Sequence, residues 1–137
     1  MAADRDCLFC RIVAGELPAT RIDEDRRTLT FLDINPATRG HALVIPKAHA
    51  VDLLAVGDDD LTACARTARR IARRQRERLD AAGVNLLNSC GSAAWQTVPH
   101  FHIHVIPRYA GDPLRLPWAP APADGDELAA VGAELAT

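Results

Sequence analysis

Runs of apolar and polar positions divide the chain into short strand-like segments and one long helical stretch. Arg21–Asp25 and Thr28–Asp33 read as two strands around the charged turn Glu24-Asp25-Arg26-Arg27, and Asn35-Pro36 breaks the second. Gly40–Pro46 is continuously apolar after its first two residues and reads as a buried strand. Leu61, Cys64, Ala65, Ala68, Ile71, Ala72 and Leu79 fall near helical spacing, which predicts a helix from about Asp60 to about Ala82. Asp58-Asp59-Asp60 offers it an N-cap and a negative first turn, and Gly83 is the expected stop. Cys7–Ala14, closed by Gly15, predicts a first helical turn or a compact N-terminal element, and Val51–Val56 a short helix. Val84–Ser89 reads as a strand, Cys90–Ala94 as a small-residue loop, and the stretch Val98–Pro107 as a further strand that pairs back on it. Beyond Arg108 the chain is rich in Pro, Gly and Ala, with a weak helix expected from Asp126. Strands, one long helix, then two more strands predict an α+β layer with the helix on one face of the sheet.

Length and composition narrow the class. At 137 residues the chain suits one domain with one core, about residues 7–109, followed by a tail of about 110–137. A hydrophobic share of 48% and a formal net charge of -2 make no overall demand for nucleic acid or a membrane. The arginine run from Arg66 to Arg78 reads as the wet side of the long helix rather than a polyanion site. No stretch is apolar for long enough to span a bilayer and no secretory signal opens the chain, so the expected location is the cytoplasm. In that compartment Cys7, Cys10, Cys64 and Cys90 read as thiols or metal ligands rather than disulfides, with Cys64 and Cys90 as small apolar fillers.

The candidate chemistry lies in Val98-Pro99-His100-Phe101-His102-Ile103-His104-Val105-Ile106-Pro107. Alternate residues of a strand share a face, so His100, His102 and His104 form a row of imidazoles. Three readings compete. The rings are satisfied within the core; or they ligate a metal, His-x-His being a zinc spacing; or one neutral imidazole attacks phosphorus while its neighbours orient it and move protons. Uncharged donors around the row, Asn88, Ser89, Ser92, Gln96 and Thr97, suit phosphoryl oxygens in the third, while each taken singly reads as an ordinary turn residue.

Gln96-Thr97-Val98-Pro99-His100-Phe101-His102-Ile103-His104-Val105-Ile106 resembles the signature of the histidine-triad family. Two further blocks, Cys7 to Ala19 and Phe31-Leu32-Asp33-Ile34-Asn35-Pro36 continuing to Gly40–His49, resemble its Hint-like branch. The resemblance implies an antiparallel sheet of about five strands with one long helix, assembled as a homodimer. It implies hydrolysis or transfer of purine nucleoside monophosphates through a nucleotidyl-histidine intermediate. His102 matches the nucleophile, His104 the phosphate-side ring that handles protons, and His100 the ring that orients the array. Thr97, Asn88 and Gln96 match positions at the phosphate or leaving group, and His41 a further histidine beside them. The nucleoside pocket carries over onto Phe9, Ile12, Phe31, Asp33 and Ile34: apolar walls for a base, and a carboxylate for the ribose hydroxyls. Cys7, Cys10, His49 and His100 match the ligands of a structural zinc in one subgroup. A non-catalytic purine-nucleotide-binding scaffold is the rival reading. Trp95 stands where many relatives have glycine, and the tail around Trp118 is placed to reach a partner subunit.

Overall fold

The computed structural model describes residues 4–136. Helix α1 (Leu8–Val13) precedes strands β1 (Arg21–Glu24), β2 (Thr28–Leu32) and β3 (Ala42–Pro46). The long helix α2 (Asp58–Leu79) is followed by β4 (Gly83–Leu87), a 3-10 turn at Ser92–Ala94, β5 (Ile103–Arg108) and a last helix α3 (Gly125–Leu135). The five strands form one antiparallel sheet in the order β1-β2-β3-β5-β4. This is the α+β layer expected from the sequence.

Strand alternation divides the core in two. One face of the sheet, through Ala42, Val44, Ile103 and Val105, packs with Cys64, Ala68 and Ile71 of α2. The other face, through Leu29, Phe31, Leu43 and Ile45, packs with Phe9, Cys10 and Ile12 of α1. Registered partners carry that second face across the sheet: Phe31 lies opposite Leu43, Leu43 opposite His104, and His104 opposite Leu87. The row runs from β2 to the free edge of β4, and the candidate chemistry stands on it. Arginines of α2 serve the fold: Arg70 and Arg74 donate to Asp23 at 2.6 and 2.9 Å, tying the helix to β1.

Several boundaries differ from those expected, each for a local reason. The histidine strand begins only at Ile103, so His104 is on it and His100 and His102 lie on its approach. Pro99 has no N–H to give a ladder, and Val98–His100 bends, with the Phe101 N–H donating out to Ala50. Val51–Val56 forms a single turn rather than a helix: the Asp52 carboxylate caps it through the N–H groups of Leu54 and Ala55, and the extended backbone at Gly57 ends it. The long helix starts after Gly57, with Asp58, Asp59 and Asp60 all in its first turn. It ends at Leu79, where Asp80 takes the left-handed conformation (φ +56°); Gly83 instead opens β4. Cys64 is fully buried in the core as an apolar filler, its thiol pushed up to about 12 by burial first and Asp60 second; Cys90 is only partly covered. Among the described residues no helix is long and apolar enough to cross a membrane.

Candidate active site and metal cluster

A cleft of about 400 Å³ opens on the α1 face of the sheet. Phe9, Ile12 and Phe31 are its buried floor, and Ile34, 89% exposed, stands at its rim with little protein to cover it. The Phe9 ring meets Phe31 and His102 edge to face, at centroid distances of 5.3 and 5.2 Å. Asp33, Thr97, His102 and His104 complete the predicted members of the lining. Leu8, Leu17, Pro18, Ala19, Leu43 and Val98 line it too, and they were not expected as site residues. Their signal lies in Gly15, whose φ of +78° reverses the chain after α1 and brings Leu17–Ala19 to the cleft.

The remaining predicted residues do not line the cleft; they support it. His41, 5% exposed, stands behind His104. The Asn88 amide donates to the His102 carbonyl at 2.9 Å and so holds the backbone of that residue. The Gln96 carboxamide is committed to backbone: it accepts from the Gly91 N–H and donates to the Val51 and Val98 carbonyls.

Backbone partners fix which nitrogen of each ring carries the proton. The His102 Nδ1–H donates to the His100 carbonyl at 2.7 Å, so the lone pair of the neutral ring is on Nε2. The Ala37 N–H donates to His41 Nδ1 at 3.0 Å, so His41 carries its proton on Nε2 and donates it to His104 Nδ1 at 2.9 Å. His104 is therefore left with an Nε2–H. The His100 Nε2–H donates to the Pro46 carbonyl at 2.8 Å, leaving Nδ1 as its lone pair. Three rings at alternate positions thus carry two different tautomers.

Burial keeps these rings neutral. It is the largest cause pushing His104 down to about 4, with His102 and His41 adding to it; burial also lowers His102 and His41, the latter against the pull of Asp33. Free imidazole titrates near ~6.5, so between that value and about 4 the unfolded chain binds more protons than the fold at His104. Stability is complete above that window and falls as pH falls through it. From pH 7.5 to pH 5 the urea midpoint should drop, with a share on the order of 1–2 kcal/mol removed by His104→Gln. An equally steep pH dependence in that variant would contradict this origin.

A second cluster lies under α1. Cys7 Sγ is 3.3 Å from His100 Nδ1, and Cys10 Sγ is 3.4 Å from His49 Nδ1 and 3.5 Å from His100 Nδ1. All four ligand atoms lie within 4.8 Å of one another. A zinc tetrahedron with ordinary Zn–S and Zn–N bonds has edges of roughly 3.3–3.8 Å, so this set fits a metal. Its donors agree: the His100 lone pair points inward, and the Pro46 carbonyl orients the ring from behind. Burial, with Cys7 close by, raises Cys10, a shift that a bound cation would oppose. Asp33, His41 and His104 also converge, but there His41 Nε2 carries the proton given to His104 and has no lone pair for a metal.

The HIT domain matches residues 14–111 of the chain. A crystal structure of a HIT family member from Bacillus subtilis superposes with a TM-score of 0.88 at 35% identity, over 96% of each chain. A Zn-bound histidine triad family protein from Mycobacterium smegmatis is 49% identical, with a TM-score of 0.78 over 85% of this chain and 84% of that one. The adenosine 5'-monophosphoramidase of Schizosaccharomyces pombe is 33% identical over 132 residues, 96% of each chain.

Proposed function

The chain belongs to the HIT family, and on that premise we propose that it is a hydrolase or transferase of purine nucleotide conjugates, with nucleoside phosphoramidates as the leading substrates. The observation that carries this reading is the 2.7 Å bond from His102 Nδ1–H to the His100 carbonyl, which turns a neutral Nε2 lone pair into the nucleophile. In the first step that lone pair forms a bond to the α-phosphorus. The bond from phosphorus to the leaving amine breaks, its electron pair leaves with the amine, and the amine takes up a proton from water. The His100 carbonyl holds the Nδ1–H while His102 is positively charged. The His104 Nε2–H donates to a phosphoryl oxygen, and His41 behind it holds that tautomer in place. A water oxygen then bonds to phosphorus, the bond to His102 Nε2 breaks with its electron pair returning to that nitrogen, and the water gives up a proton to solvent, which releases the nucleoside monophosphate and restores neutral His102.

Phe9, Ile12, Phe31 and Ile34 sandwich the base in this reading. Asp33 takes the ribose hydroxyls: its Oδ1 accepts the Asn35 N–H and its Oδ2 lies toward His41, which leaves lone pairs for a diol. Thr97 supplies a hydroxyl at the phosphate. Cys7, Cys10, His49 and His100 would hold zinc, which supplies a structural tie between α1 and the approach to His102 and takes no part in the reaction. A homodimer belongs to the same reading, supported by the unpaired edge of β4 and its exposed Leu86 and Leu87.

A panel of nucleoside phosphoramidates and dinucleoside polyphosphates separates this from a binding scaffold. Turnover of the phosphoramidates is expected, with release of the nucleoside monophosphate. Tight binding of the whole panel with no product would favour the scaffold.

A further inference from the structure

On the α2 side of the sheet lies a second cavity, of about 340 Å³. Small-molecule sites fall in the range of roughly 300–1,000 Å³. This cavity meets the active cleft only at Leu32. Ile22, Leu32, Ile71 and Leu79 are its apolar lining. Gly40 completes it: a Cβ there would stand 2.5 Å from Leu79 Cδ1, so only bare backbone fits. Gln75, 3% exposed, is a fixed wall, because its Nε2 donates to the Gly40 and Val105 carbonyls at 3.1 and 3.0 Å. The shape is therefore set before any ligand arrives, which lowers the cost of binding one.

Charge says what the ligand is. Arg39, Arg74 and Arg78 line the cavity and no Asp or Glu does, on a chain whose formal net charge is -2. Arg74 is already spent, donating to the Asp23 carboxylate at 2.9 Å and to the Ile22 carbonyl at 3.3 Å. Arg39 and Arg78 are exposed, and among the described residues neither enters an ion pair; the Asp23 carboxylate is taken by Arg70 and Arg74. One lining thus offers two free guanidinium groups beside apolar surface. A guanidinium forks to a carboxylate-like anion and stacks on an aromatic face, and the apolar side chains take a ring out of water. We propose that this cavity is a second binding site, for a small aromatic monoanion such as an aryl carboxylate or sulfonate. Its strand residues come from β1 and β2, at the end of the sheet away from β4, so pairing through β4 leaves it open. The site does not depend on the hydrolase reading.

Calorimetric titration with naphthalenesulfonate tests it. The parent should bind this probe more tightly than naphthol, which has the ring without the charge, and than methanesulfonate, which has the charge without the ring. Arg39→Gln with Arg78→Gln should weaken binding about tenfold, the scale of two exposed charge contacts together. Arg39→Lys with Arg78→Lys keeps the charges and should recover part of that loss. Arg69→Gln with Arg76→Gln removes the same charge from α2 outside the lining, and should bind as the parent does. These arginines are all exposed, so melting temperatures should stay with the parent. Equal weakening by the two glutamine pairs would reduce the effect to a general attraction of α2 for anions and overturn the site. So would unchanged affinity in the Arg39→Gln, Arg78→Gln protein, or a parent that binds naphthol as tightly or does not bind the probe. Octanesulfonate bound as tightly as naphthalenesulfonate would overturn the aromatic class.

Discussion

His102→Ala should abolish turnover, with kcat falling at least about 10⁴-fold, the scale seen when a covalent nucleophile is removed from a site built around it. His104 cannot substitute, because its Nδ1 lone pair is taken by His41 and its remaining nitrogen carries a proton. His100 has its lone pair turned toward Cys7 and Cys10. Each neighbour therefore has the wrong tautomer or the wrong direction, and the loss should be close to total. The fold should survive, since the two core layers are built from other residues. The variant leaves the His100 carbonyl without its donor, which costs about 1–3 kcal/mol, and His102→Asn recovers part of that while remaining inactive. Melting curves beside the rates keep the two effects apart. A His102→Ala protein that turns over at the parent rate would remove the mechanism.

The second large effect is on stability. Replacing Cys7 and Cys10 together by serine should release zinc and cost about 4 kcal/mol, the scale for a site filled at about a thousandfold above its Kd. The cluster joins α1 to His100, and α1 carries Phe9 and Ile12 of the cleft floor, so substrate affinity should weaken along with stability. The residual rate should still depend on His102. Metal analysis and urea unfolding of the purified double variant measure both parts. Zinc retained in equal amount to protein, or an unchanged urea midpoint, would contradict the assignment of these ligands.

Much of this was legible in the sequence, and the exceptions have physical reasons. Helical spacing from Leu61 to Leu79 and the apolar run at Ala42–Pro46 are long-range patterns of burial, and both elements form. Val51–Val56 shows the limit of that signal: Asp52 caps a turn there, and the extended backbone at Gly57 stops it after that one turn. The row of histidines was visible as spacing, and His104 does stand on the strand, but Pro99 and the bend at Val98–His100 put His100 and His102 before it. The difference between the rings was not visible in spacing at all. It comes from the Pro46 carbonyl at His100, from His41 (itself set by the Ala37 N–H) at His104, and from the His100 carbonyl at His102; Pro46 and His41 lie 54 and 63 residues from the rings they set. Trp95 could be noticed in the sequence, whereas its left-handed backbone appears only in the fold.

The central claim is that His102 Nε2 carries the nucleotide during turnover. Quenching the protein in the steady state with an α-phosphate-labelled nucleoside phosphoramidate, then mapping the label by peptide, tests it directly. The label should be acid-labile, lie on the peptide containing His102, and vanish in His102→Ala. Label on His104, or turnover with no protein-bound label when hydrolysis of the intermediate is slowed, would contradict it.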